Sequence, residues 1–126
     1  MPTSQTLESF ITRVENNQHV EAIAEFYAEE ASMQENQAEP RLGRAGLMAA
    51  EARVMARAKS VSSRCVRPVL FHGNHVAIRW IFQFEWLDGT SARMEEIAWQ
   101  RWDGERIAEE TFFYDPAQRR PERPQV

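Results

Sequence analysis

One cysteine, one lysine and three histidines occur in 126 residues. With Cys65 alone, neither an intrachain disulfide nor a cysteine-built metal site can form. The three histidines are scattered. His72 and His75 only flank a turn with no third ligand nearby, so no metal is expected. Basic residues are outnumbered: 15 Lys and Arg face 19 Asp and Glu, a net charge of −4. That balance lacks the basic footprint of a sequence-independent nucleic-acid binder, and no nucleic-acid partner is expected. No apolar run approaches the roughly 18 residues of a membrane span, so no membrane partner is expected either. Met1–Phe10 is polar and lacks the charged-then-apolar order of an export signal, so the expected location is cytoplasmic. A single lysine, Lys59, against 14 arginines is compatible with a GC-rich bacterial genome.

What is present is enough for one sizeable core: 43% apolar and 27% charged residues in one domain's length. The unusual count is aromatic, 4 Trp, 7 Phe and 2 Tyr, crowded into the C-terminal half. The N-terminal half reads helical. Leu7, Phe10, Ile11 and Val14 mark one face of a first helix, with Thr3 or Ser4 as its cap. Asn16-Asn17 interrupts the pattern, and Asn17 is placed to cap a second helix carrying Val20, Ile23, Phe26 and Tyr27 and ending near Glu29-Glu30. Ala31 to Asn36 is short and extended. Glu39 to Gly43 is a loop by its Pro and Gly. A third helix follows from Arg44 to about Ala58, with Leu47, Val54 and Ala58 inside.

From Val61 the period changes to two. Pro68 places the first strand at an edge or a bulge, and Cys65 is expected to be a small buried hydrophobe within it. The strongest strand runs from His75 to Leu87, where Val76, Ile78, Trp80, Phe82, Phe84 and Trp86 alternate with more polar residues. Asp88-Gly89 and Asp103-Gly104 are tight turns before strands at Ser91–Trp102 and Arg106–Tyr114. Helices followed by an antiparallel meander make an α+β domain. Three N-terminal helices packed on a strongly curved antiparallel sheet would form a cystatin-like cone with a pocket in its mouth. The domain spans residues 1–117, and the Arg- and Pro-containing tail 118–126 is expected to be disordered.

Several segments carry a family resemblance in their order and spacing. Val20 to Ala31 looks like a second helix with an acidic, Ala-ended turn. Gly43-Arg44-Ala45-Gly46-Leu47 looks like the opening of a third. Val76 to Trp80 looks like a central strand, and Trp102 to Glu110 with Phe113-Tyr114-Asp115-Pro116 like a closing hairpin and terminus. Together they resemble the nuclear transport factor 2-like superfamily, and within it the SnoaL-like and ketosteroid isomerase-like proteins, over roughly residues 5 to 116. The resemblance implies cofactor-independent acid–base chemistry, with no cofactor, in an apolar pocket. It also implies a homodimer through the outer sheet face.

Carried over by position, Glu35 falls where such isomerases hold their general base, as a Glu rather than an Asp and before Asn36 rather than a Pro. Phe10 occupies the place of the donor tyrosine and Ala98 that of the oxyanion-hole acid, so both donors are lost. Other acids can substitute. If Met94 and Ala98 face the cone, Glu96 faces it with them, whereas a one-residue slip selects Glu95. On the last strand Glu110 shares a face with Phe112 and Tyr114, and Glu109 lies on the other.

A carboxyl buried among aromatics has its pKa raised and exchanges protons near neutrality. The candidate catalytic set is therefore Glu35, Glu96, Glu110 and Tyr114. The candidate wall is Phe10, Val14, Tyr27, Met55, Trp80, Phe82, Phe84, Met94, Ala98 and Phe112. Two functions follow: an isomerase, dehydratase, cyclase or epoxide hydrolase acting on a small hydrophobic, cyclic or polyketide-like molecule, or a non-catalytic hydrophobic-ligand binder or dimeric association module.

Overall fold

A computed structural model describes residues 1–123. The order is α1 (Ser4–Glu15), α2 (His19–Phe26), β1 (Tyr27–Glu35), β2 (Arg41–Leu42), α3 (Arg44–Arg57), β3 (Ala58–His72), β4 (His75–Trp86), β5 (Ser91–Asp103) and β6 (Arg106–Phe113). A short 3-10 turn follows at Pro116–Arg119. The Thr3 hydroxyl accepts from Thr6 N at 3.1 Å and caps α1, whose buried stripe is Leu7, Phe10, Ile11 and Val14. Asn17 does not cap α2. It takes the left-handed backbone region, at φ 64°, and links the two helices. His19, Ala22, Ile23 and Phe26 form the buried stripe of α2.

α2 ends at Phe26, earlier than the sequence pattern predicts, and Tyr27–Glu35 is a strand. Its Ala28-Glu29-Glu30-Ala31 run has good helix propensity. Pairing overrides it: β1 lies parallel to β6 and antiparallel to β2, and Tyr27, Ala31 and Met33 are buried. The sheet is thus mixed, six strands in the order β2-β1-β6-β5-β4-β3, rather than a wholly antiparallel meander, and it is not strongly curled. β3 is an edge strand, and its register with β4 shifts between Val66 and Leu70, around Pro68. Cys65 on β3 is buried.

The register decides which face is inside. Ile78 faces Ala98, Trp80 faces Glu96 and Phe82 faces Met94 across β4 and β5. Ala98 faces Phe112 and Gln100 faces Glu110 across β5 and β6, and β1 continues the same rows with Met33 and Glu35. The three helices cover this face. Phe10 of α1 meets Trp102 edge-on at 6.0 Å and Phe26 at 5.6 Å. On the opposite face Glu95 bonds Arg79 and Glu109 bonds Arg101. Ile97, Trp99 and Phe113 are exposed there.

β6 stops opposite Ile97, so the first residues of β5 have a free edge. The chain after β6 runs along it. Glu95 N donates to Gln118 Oε1 at 2.5 Å, and Ser91 and Glu122 exchange backbone hydrogen bonds of 2.6 and 2.8 Å. Of the tail expected to be disordered, residues 118–123 thus include these contacts, while 124–126 lie outside the described residues.

Candidate active site

A cavity of about 540 Å³ lies between the inner sheet face and the helices. Phe10 and Val14 line it from the helical side, and Tyr27, Trp80, Phe82, Phe84, Met94 and Phe112 from the sheet. Glu35, Glu96 and Glu110 also reach it, so the register places Glu96 and Glu110 inside and Glu95 and Glu109 outside. Three predicted residues do not line the cavity. Ala98 is fully covered between Ile78 and Phe112. Met55 sits about 100° round α3 from Val54, which takes the lining position instead. Tyr114 stands behind Glu35, to which its hydroxyl donates at 3.0 Å.

The three carboxyls have different surroundings. Glu110 is 2% exposed, and both its oxygens are occupied. The Tyr27 hydroxyl donates to Oε1, and Gln100 Nε2 donates to Oε2 at 2.6 Å. Trp102 Nε1 in turn donates to Gln100 Oε1 at 2.9 Å. Burial pushes Glu110 up to about 7, while its two donors pull the other way. Burial, then the charge of Glu110, drives the Tyr27 phenol well above its usual range, so it remains a donor.

Glu35 lies at the mouth. Besides Tyr114, it has Arg119 at 3.6 Å and Arg41 at 3.7 Å. Glu96 has no hydrogen bond to its carboxyl among the described residues, and it is pushed up to about 8. Burial is the main cause, followed by repulsion from Glu110, Glu35 and Glu51.

The structure adds lining residues that the sequence reading missed: His19 on α2, Glu51 on α3, and Arg41, Arg119 and Pro121. Glu51 had a signal, since it shares the spacing of Leu47 and Val54 on α3. His19 had one in its spacing with Ala22, Ile23 and Phe26. Arg119 had none, because its position depends on how the tail lies along β5. Trp86 Nε1, also at the cavity, is buried without a partner among the described residues. No group of three or more His, Cys, Asp or Glu among these residues is placed to hold a metal ion.

Residues 7–110 match the SnoaL-like domain family, and the chain belongs to it. Solved structures of the same fold are distant in sequence. A hypothetical protein of ketosteroid isomerase-like fold from Catenulispora acidiphila, crystallised with trimethylamine, superposes with a TM-score of 0.75 at 16% identity. That match covers 92% of this chain and 89% of that one. An LEH-like epoxide hydrolase of M. tuberculosis gives 0.73 at 11% identity, over 90% and 83%. TerC, co-crystallised with polyporic acid, gives 0.73 at 13%, over 90% and 91%. No curated protein matches the sequence. At these identities the likeness establishes the nuclear transport factor 2-like fold and not the reaction. No helix of the described residues is long and apolar enough to cross a membrane.

Proposed function

We propose that the cavity is the site of a cofactor-independent acid–base enzyme acting on a small hydrophobic molecule, with Glu96 as the group that moves the proton. The observation that carries this is the setting of Glu96: it borders an aromatic-walled cavity, has no hydrogen-bond partner for its carboxyl among the described residues, and is pushed by burial up to about 8. A carboxylate of that pKa is a much stronger base than one in water. Glu35 and Glu110 already hold donors, so they supply charge and fixed hydrogen bonds around it. Two relatives of this fold crystallised with small molecules, and a further one that is an epoxide hydrolase, support a small-molecule ligand for it. The resemblance further supports a homodimer through the outer face, where Ile97, Trp99 and Phe113 are exposed. Sedimentation at twice the chain mass, reduced to the monomer mass by Trp99→Glu, is the expected outcome.

The test uses 2-tetralone, a flat apolar ketone, in deuterated buffer. Glu96 removes a proton from the carbon beside the carbonyl, an enolate forms, and a deuteron returns to that carbon. Exchange followed by proton NMR should exceed the buffer rate and fall about 100-fold in Glu96→Gln. Equal rates in the two proteins would remove Glu96 from this role. The second reading, a non-catalytic ligand binder, is favoured by the occupied oxygens of Glu35 and Glu110. Binding of 2-tetralone without exchange above the buffer rate would select it.

A further inference from the structure

His19 is a buried, titratable group on the helical wall that the acid–base role of Glu96 does not use. Both of its ring nitrogens have partners. Nε2 lies 2.8 Å from Ser63 Oγ, and Nδ1 lies 3.5 Å from Glu51 Oε1. Ser63 Oγ donates its own proton to Asn17 Oδ1 at 2.8 Å. With its hydrogen committed there, the serine oxygen can only accept from His19. Nε2 must then carry a hydrogen in every protonation state of the ring, and Nδ1 is the atom that gains or loses the proton. Nδ1 points toward Glu51, and both residues line the cavity. A neutral ring with a bare Nδ1 would set a lone pair against the Glu51 carboxylate. One proton shared between the two removes that conflict. Phe82 meets the ring edge-on at 5.3 Å.

We propose that His19 and Glu51 form a second proton-exchanging centre of the cavity, on the helical wall, with Ser63 and Asn17 fixing the tautomer of His19. This centre adds to the role given to Glu96 on the sheet wall and rests on it. Two such centres suit a substrate that loses a proton from carbon at one atom and gains one at another. A ketone whose double bond migrates, or a β-hydroxy ketone that loses water, has that chemistry. In the second case the carbon–hydrogen pair becomes the new double bond and the carbon–oxygen bond breaks. The departing oxygen takes the proton from His19 and leaves as water.

Two measurements test the centre. In nitrogen-15 labelled protein, neutral His19 should show the hydrogen on Nε2. Ser63→Ala should mix in the other tautomer. A neutral ring with its hydrogen on Nδ1 overturns the proposal. In the 2-tetralone assay, His19→Gln and Glu51→Gln should each cut exchange at least tenfold and remove one limb of its pH profile. Exchange lost in Glu96→Gln but retained with an unaltered profile in both of the others overturns the dyad alone. Wild-type protein without exchange overturns the role of the cavity on which it rests.

Discussion

Glu96 lies directly across the β4–β5 ladder from Trp80. Trp80 is 2% exposed and stacks on Phe82 at 5.5 Å, so the carboxyl stands beside a dry aromatic surface. Water that would solvate its charge on one side is replaced by indole and phenyl rings. That desolvation, more than any single neighbouring charge, makes Glu96 titrate at about 8.

Stability should therefore fall as pH rises. Between the ordinary carboxylate value of 4.5 and about 8, the folded state holds a proton on Glu96 that the unfolded chain has released. The folded state binds more protons in that window, so each unit of pH weakens it, by up to about 1.4 kcal/mol from this group. Glu110, pushed up to about 7, adds the same sign over a narrower range. Glu96→Gln should flatten the slope and be more stable than wild type at pH 9. Urea unfolding at pH 5, 7 and 9 measures it.

Removing the phenol from Tyr27 should cost more at high pH than at low. Its hydroxyl donates to Glu110, whose other oxygen is held by Gln100. Tyr27→Phe leaves a buried oxygen without its donor, a loss of about 1–3 kcal/mol. Because that donor favours the ionised form, the Glu110 pKa rises further, and the loss should be larger at pH 8 than at pH 5. A pH-independent loss would show that Glu110 does not titrate in this range.

Arg119→Ala should raise the Glu96 midpoint above about 8, since the guanidinium pulls that value down. The same change removes the bond that Arg119 donates to the Tyr114 hydroxyl at 3.3 Å and leaves that hydroxyl on Glu35. Carbon-13 carboxyl NMR of the two proteins gives the comparison. An unmoved midpoint would mean that Arg119 does not lie over the cavity in solution.

Two tryptophans should separate core from surface. Trp80→Ala should lose about 3–5 kcal/mol, because a large cavity opens behind the inner sheet face. Trp99 is 49% exposed on the outer face, so Trp99→Ser should change monomer stability by no more than about 0.5 kcal/mol. Thermal or urea denaturation at low protein concentration distinguishes them.

Much of the site was legible because strands alternate. Once Val76, Ile78, Trp80, Phe82 and Phe84 define the inner face of β4, Met94 and Glu96 follow on the neighbouring β5, and Glu110 and Phe112 on β6 beyond it. The choice of Glu96 over Glu95 rested on register, and pairing supplied it. Helix periodicity put Phe10 and Val14 on the stripe that borders the cavity but missed His19 and Glu51. Polar residues on an apolar stripe are easily taken for its edge. Only their meeting across two helices gives them a joint role.

The sequence by itself determined the α+β class, the three helices, the four long strands and the aromatic inner face. Each of these depends on local periodicity, capping or turn chemistry. Tertiary structure alone decided that Tyr27 to Glu30 joins the extended stretch after it in one strand, that Glu110 is held by Tyr27 and Gln100 while the Glu96 carboxyl has no such donor among the described residues, and that Arg119 reaches Glu35. These outcomes depend on residues brought together from distant parts of the chain. The proton affinity of a carboxyl is set by what surrounds it in space, and no spacing along the chain records that.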